Sequence, residues 1–181
     1  MSISESTNLR HPKWRWREMA RPIVAMVLSA IPLQVAALEI GQLAPDLELA
    51  DSHLGRRLSE LRGKVVYVDF WASWCGPCRQ SFPWMNAMQR KYAGKGLQII
   101  AINVEADRGD ALRFLARYPA DFAVLFDDRG HTPRQFDVKG MPSSVLIGRD
   151  GIVRHVHLGF RLDDRDDLES RLTAALASTS P

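Results

Sequence analysis

The chain has 181 residues and weighs 20.4 kDa, with 46% hydrophobic and 25% charged residues. That is the size and balance of one globular domain with a short extra segment, and it excludes a disordered, collagenous or multi-span membrane protein. Two cysteines are too few for a disulfide scaffold or a four-cysteine zinc site. The formal charge of +3 sits in residues 1–37, where Arg10, Lys13, Arg15, Arg17 and Arg21 outnumber Glu5 and Glu18; the remainder holds 19 basic and 19 acidic residues. The basic pI is therefore no argument for nucleic-acid binding.

Residues 1–22 are polar and basic, and Ile23–Leu38 carries no charge. This apolar stretch has the length of a signal-peptide core and falls short of the ~20 residues a spanning helix needs. Val35-Ala36-Ala37 supplies the small residues of a cleavage site. The reading is a signal peptide over 1–37, an exported domain over 38–181, and no lipid anchor, because no cysteine follows. The alternative is an uncleaved anchor, which Trp14 and Trp16 would suit and which alone would bring the domain to a membrane.

Beyond the leader, Leu47 and Leu49 alternate before a turn at Gly55-Arg56, which predicts a short N-terminal hairpin. Lys64–Phe70 reads as a buried strand. Residues 76–92 read as a helix with Phe82, Met85, Met88 and Tyr92 inward and Pro83 kinking it. Leu97–Val104 is a second buried strand. Ala111–Tyr118 is a helix with Leu112, Leu115 and Ala116 on one face. A short strand at Val124–Phe126, a short helix at Pro133–Phe136, and the hairpin Ser143–Gly148 and Ile152–Leu158 about Asp150-Gly151 follow. Asp163–Ala177 closes the chain as a helix with Leu168, Leu172 and Leu176 inward. Strands alternating with helices and ending in a hairpin imply an α/β fold with a mixed central sheet and helices on both faces.

Trp71-Ala72-Ser73-Trp74-Cys75-Gly76-Pro77-Cys78 joins the first strand to the first helix. The spacing puts Cys75 at a helix N-terminus and Cys78 one turn inside. Unpaired N–H groups and the helix dipole favour a thiolate at Cys75, the form that attacks disulfides. Cys78 is placed to resolve the mixed disulfide. Against this stand a structural disulfide, whose loop is too small to constrain the unfolded chain much, a zinc half-site completed by His155 and His157, and a pair of inert buried thiols. Asp69 lies in a strand that should be buried, where a carboxylate is costly and its pKa rises. The plain reading of Asp69 is an acid satisfied by Lys64 or another base, and Glu105 reads as loop-facing and solvated.

VVYVDFWASWCGPCRQSFP, with GMPSSVLI some sixty residues later, resembles the thioredoxin superfamily over nearly all of residues 44–177. With APDLELAD…G…LSELRGKVV ahead of it, the chain resembles the exported TlpA/ResA-like thiol–disulfide oxidoreductases. The resemblance implies a thioredoxin-like fold and a redox-active Cys75–Cys78 pair needing no other cofactor and no metal. It implies a cis peptide at Met141-Pro142, leaving the Met141 backbone free for an extended substrate; a plain turn is the alternative. It implies that Asp69 is the acid/base for Cys78, through water. The substrate-binding set is then Trp74, Gly76, Pro77, Met141 and Pro142, with Phe160 completing an apolar collar. TlpA/ResA-like proteins often have an amide where this chain has Asp69 and a glutamate where it has Ser81, a departure that bears on substrate preference.

Gly76-Pro77 resembles reductants of the thioredoxin type; strong oxidants commonly carry a histidine between the cysteines. The resemblance further implies periplasmic localisation, disulfide-bearing client proteins such as apocytochromes c or copper-site assembly proteins, and recharging by a membrane thiol donor of the DsbD/CcdA kind. Competing readings are a disulfide oxidase or isomerase, a copper chaperone of the Sco-like kind, and a peroxiredoxin-type peroxidase. The last would need a threonine four residues before its cysteine, where this chain has Trp71.

Overall fold

A computed structural model describes residues 38–49 and 53–178; the predicted leader and its cleavage site lie outside them. Five strands form one sheet in the order β3-β2-β1-β4-β5: β1 (Val65–Trp71), β2 (Leu97–Asn103), β3 (Ala123–Phe126), β4 (Ser143–Ile147) and β5 (Val153–Leu158). The first three run parallel, and β4 and β5 are antiparallel to their neighbours. Every residue of β1 and β4 is buried, as interior strands covered on both faces require. At the sheet edge, β5 alternates in burial.

Helix α1 (Cys78–Tyr92) connects β1 to β2, and α2 (Arg108–Arg117) connects β2 to β3. Parallel crossovers are right-handed almost without exception, so two that step the same way share a face. Phe82 and Met85 of α1, Phe114 of α2, and Leu168 and Leu172 of α4 (Arg165–Ala177) accordingly pack in one core with Tyr67 and Trp71. The opposite face is covered by the N-terminal segment, a 3-10 turn at Leu58–Leu61, and Phe136 just after α3 (His131–Gln135). There Leu47, Leu49, Val66, Val68, Ile100 and Ile147 make a largely aliphatic layer.

Among the described residues the N-terminal hairpin is marked by the antiparallel bridge of Glu48 with Arg57, flanked by Leu49 N–H donating to the Arg56 carbonyl and Leu58 N–H to the Leu47 carbonyl, both at 2.9 Å. Three other expectations are adjusted. Helix α1 starts at Cys78 rather than at Gly76. Helix α2 begins at Arg108 because the Asp107 side chain caps it, accepting from Gly109 N–H. That capped start fixes its phase: Ala111 and Phe114 face the core, whereas Leu112 is 53% exposed.

Candidate active site

The site lies where β1 hands over to α1. Cys75 N–H donates to the Ala72 carbonyl at 3.1 Å, which turns the chain after β1. Cys78 N–H then donates to Cys75 Sγ at 3.3 Å. Cys75 thus stands ahead of the helix in the manner of an N-cap, its sulfur taking the N–H three residues on. A donor aimed at the sulfur, together with the positive end of the helix, stabilises negative charge there. Cys75 and Cys78 are joined in a disulfide with Cα atoms 5.4 Å apart. Cys75 is 3% exposed, and Cys78 is fully buried.

Asp69 lies on the same face of β1 as Tyr67 and Trp71, the face that packs against α1 and Cys78. It is 2% exposed, and its Oδ2 has no hydrogen-bond partner among the described residues. No ion pair reaches it among the described residues, so the reading of an acid neutralised by Lys64 is set aside. Desolvation pushes its pKa well above the usual carboxylate range. Burial, and secondly the negative charge of Asp69, raises that of Tyr67, whose hydroxyl lies 2.7 Å from Ser144 Oγ. Ser144 is also the β4 partner of Asp69 in the strand register.

Glu105 departs from the sequence expectation. It is half-buried and holds the loop that leads to Cys75. Ser73 N–H donates to Glu105 Oε2 at 2.7 Å and Ser73 Oγ–H to Oε1 at 2.6 Å. The fully buried Asn103 donates its side-chain amide to Oε2 at 2.9 Å and accepts from Glu105 N–H at 3.1 Å. The contact follows from strand register: Trp71 pairs with Asn103 across β1 and β2, so the residues two further along each chain also meet. Its only sequence signal is a polar Asn-x-Glu after an apolar run.

The remaining predicted residues surround the disulfide unequally. Trp74 is 68% exposed, Gly76 and Pro77 are exposed, and Met141 is half-buried. Met141-Pro142 is a cis peptide, and the buried Pro142 accepts from Gly159 N–H at 2.8 Å. Phe160 belongs to the core instead of the collar, its ring 5.7 Å from that of Trp84. Trp71, Trp84, Phe70, Phe82 and Phe114 are core residues, as expected. His155 and His157 sit on β5 with ring centroids 5.9 Å apart, and the cysteines they would have joined as zinc ligands are bonded to each other.

Residues 39–172 match the Redoxin family. The thiol–disulfide oxidoreductase ResA of Geobacillus kaustophilus is 30% identical over 164 residues, 85% of this chain and 92% of that protein. ResA of Bacillus subtilis is 34% identical over 121 residues, 66% of this chain and 67% of its own. A crystal structure assigned to a thiol:disulfide interchange protein DsbE from Chlorobium tepidum is 55% identical with a TM-score of 0.74, covering 78% of this chain and 100% of that one. A secreted Mycobacterium tuberculosis disulfide oxidoreductase, at 23% identity and a TM-score of 0.56, shares the fold. The chain belongs to the Redoxin family, and within it to the thiol–disulfide oxidoreductases of the ResA and DsbE kind, with Cys75–Cys78 as the redox disulfide.

Proposed function

We propose that the chain works in the periplasm as a reductase of protein disulfides. The Cys75 thiolate attacks a client disulfide, forming a mixed disulfide and releasing one client thiolate. The Cys78 thiol passes its proton through water to the Asp69 carboxylate, and its sulfur attacks Cys75 Sγ. This closes the Cys75–Cys78 disulfide and frees the second client thiolate. Two electrons pass to the client, whose thiolates take up two protons. A dithiol donor in the membrane returns the two electrons and resets the pair. The raised proton affinity of Asp69 brings its carboxylate closer to a thiol in basicity, which favours its taking the proton. Trp74, Gly76, Pro77, Met141 and Pro142 form the ledge on which an extended client segment lies.

The reading rests chiefly on Gly76-Pro77 inside the Cys75–Cys78 disulfide: no histidine between the cysteines stabilises the reduced form. The charged and then apolar leader supports export. The deciding experiment is equilibration of the chain against glutathione or dithiothreitol. The expected potential lies near the thioredoxin value of about −270 mV. A value above about −150 mV, towards the DsbA end, would make the chain an oxidant instead. Cys78→Ala then traps clients as mixed disulfides on Cys75 in periplasmic extract.

A further inference from the structure

We infer that the reaction site selects clients carrying acidic side chains beside the cysteine, through an arginine-lined cleft next to Cys75. The inference rests on the thiol–disulfide reading above and specifies its substrate. The cleft has a volume of about 250 Å³ and opens against Ser73, two residues before Cys75. Its walls carry three guanidinium groups, Arg79 from the first turn of α1 and Arg113 and Arg117 from α2, against one carboxylate, Asp110. Arg113 is paired with Asp110. Arg79 and Arg117 are exposed and have no ion pair or side-chain hydrogen bond among the described residues. Two guanidinium groups without an ion-pair partner among the described residues therefore line a cleft whose edge is Ser73, where the Glu105 carboxylate is taken up in hydrogen bonds, while the exposed Trp74 next along the chain supplies an apolar contact.

This segregation is invisible in the charge total. Residues 38–181 are neutral overall, but the chain places Asp163, Asp164, Asp166 and Asp167 together at the start of α4 and leaves arginines around the cleft. A like-charged client segment is repelled there and an anionic one is held, with an effect on encounter rate that salt screens. Two exposed ion pairs, each worth a factor of about two to five, predict a preference of roughly tenfold.

The test uses three quenched peptide disulfides of equal length whose residues flanking the cysteine are aspartate, serine or lysine. The full chain is reduced beforehand, and the second-order rate constant of a single turnover is measured. The expected result is an aspartate-to-lysine rate ratio of roughly ten at low ionic strength, falling towards one in about 0.5 M salt. Arg79→Ser with Arg117→Ser brings the ratio towards one. A ratio is read because it cancels any change in the reactivity of the thiolate itself. The equally charge-reducing pair Arg56→Ser with Arg129→Ser keeps the wild-type ratio. Equal rates for the aspartate and lysine peptides in the wild type, or a preference that survives in the Arg79/Arg117 variant, overturn the inference while leaving the reaction intact. No reaction with the serine peptide overturns the reading beneath it, and the inference with it.

Discussion

The floor of the site and the loop that enters it each hold one carboxylate, and the two are treated in opposite ways. Asp69, beneath α1, is buried with an unpartnered oxygen and a raised pKa. Glu105, at the end of β2, uses both oxygens on Ser73 and Asn103. A buried polar group left without partners weakens a fold, and one fully satisfied holds geometry. The pairing separates a buried acid, to which the proposed cycle gives the proton of Cys78, from an acid that holds the loop leading to Cys75.

The comparison is broken most severely at Asp69. Asp69→Asn should slow closure of the Cys75–Cys78 disulfide by about a hundredfold, the usual scale of a lost acid/base, while the first attack by Cys75 stays within a few-fold. Rapid-quench trapping of the mixed disulfide measures the two steps separately, and equal loss in both removes the proton-transfer role. Glu105→Ala acts on the other carboxylate. It strands the Ser73 N–H and leaves the amide of the fully buried Asn103 only its long contact to the Trp71 carbonyl at 3.5 Å, at a cost of about 1–3 kcal/mol. Urea unfolding should register that loss, with Glu105→Gln recovering part of it.

The same contrast appears in the pH dependence of stability. The folded chain keeps the Asp69 proton well above 3.8, the ordinary value at which the unfolded chain releases it. The native state then binds more protons than the unfolded state, so this group's stabilising contribution is full below that value and declines as pH rises, until the folded carboxyl itself ionises. Asp69→Asn should abolish this component, with a slope of up to about 1.4 kcal/mol per pH unit. It should therefore be more stable than wild type at pH 7–8, and unfolding midpoints of both across pH 4–8 test the sign. The smallest effect is expected away from both acids. Arg171→Ala breaks only the exposed i,i+4 pair with Asp167 at 2.7 Å and should cost under about 0.5 kcal/mol.

Much of the α1 side was legible from residue type. Cys75 and Cys78 are read from spacing, and Asp69 stands out because a carboxylate interrupts the apolar run Val65–Phe70. Glu105 was not legible, because its partner Ser73 lies 32 residues away in sequence and only the register of β1 on β2 joins them. Leu112 misled for a related reason. Two neighbouring phases of the α2 pattern are both apolar, and the cap at Asp107 with the packing of Phe114 against Trp71 chooses between them.

Local pattern was enough for the strand and helix order, the redox pair and the buried acid, because period, spacing and burial cost are properties of adjacent residues. The tertiary structure alone decided that α1 and α2 share a face, that Asp69 has no ionic partner among the described residues, that Glu105 clamps the loop to Cys75, and that arginines line the cleft at Ser73. Each of these depends on which distant segments the sheet order β3-β2-β1-β4-β5 brings together, and contacts of that range are set by packing of the whole domain.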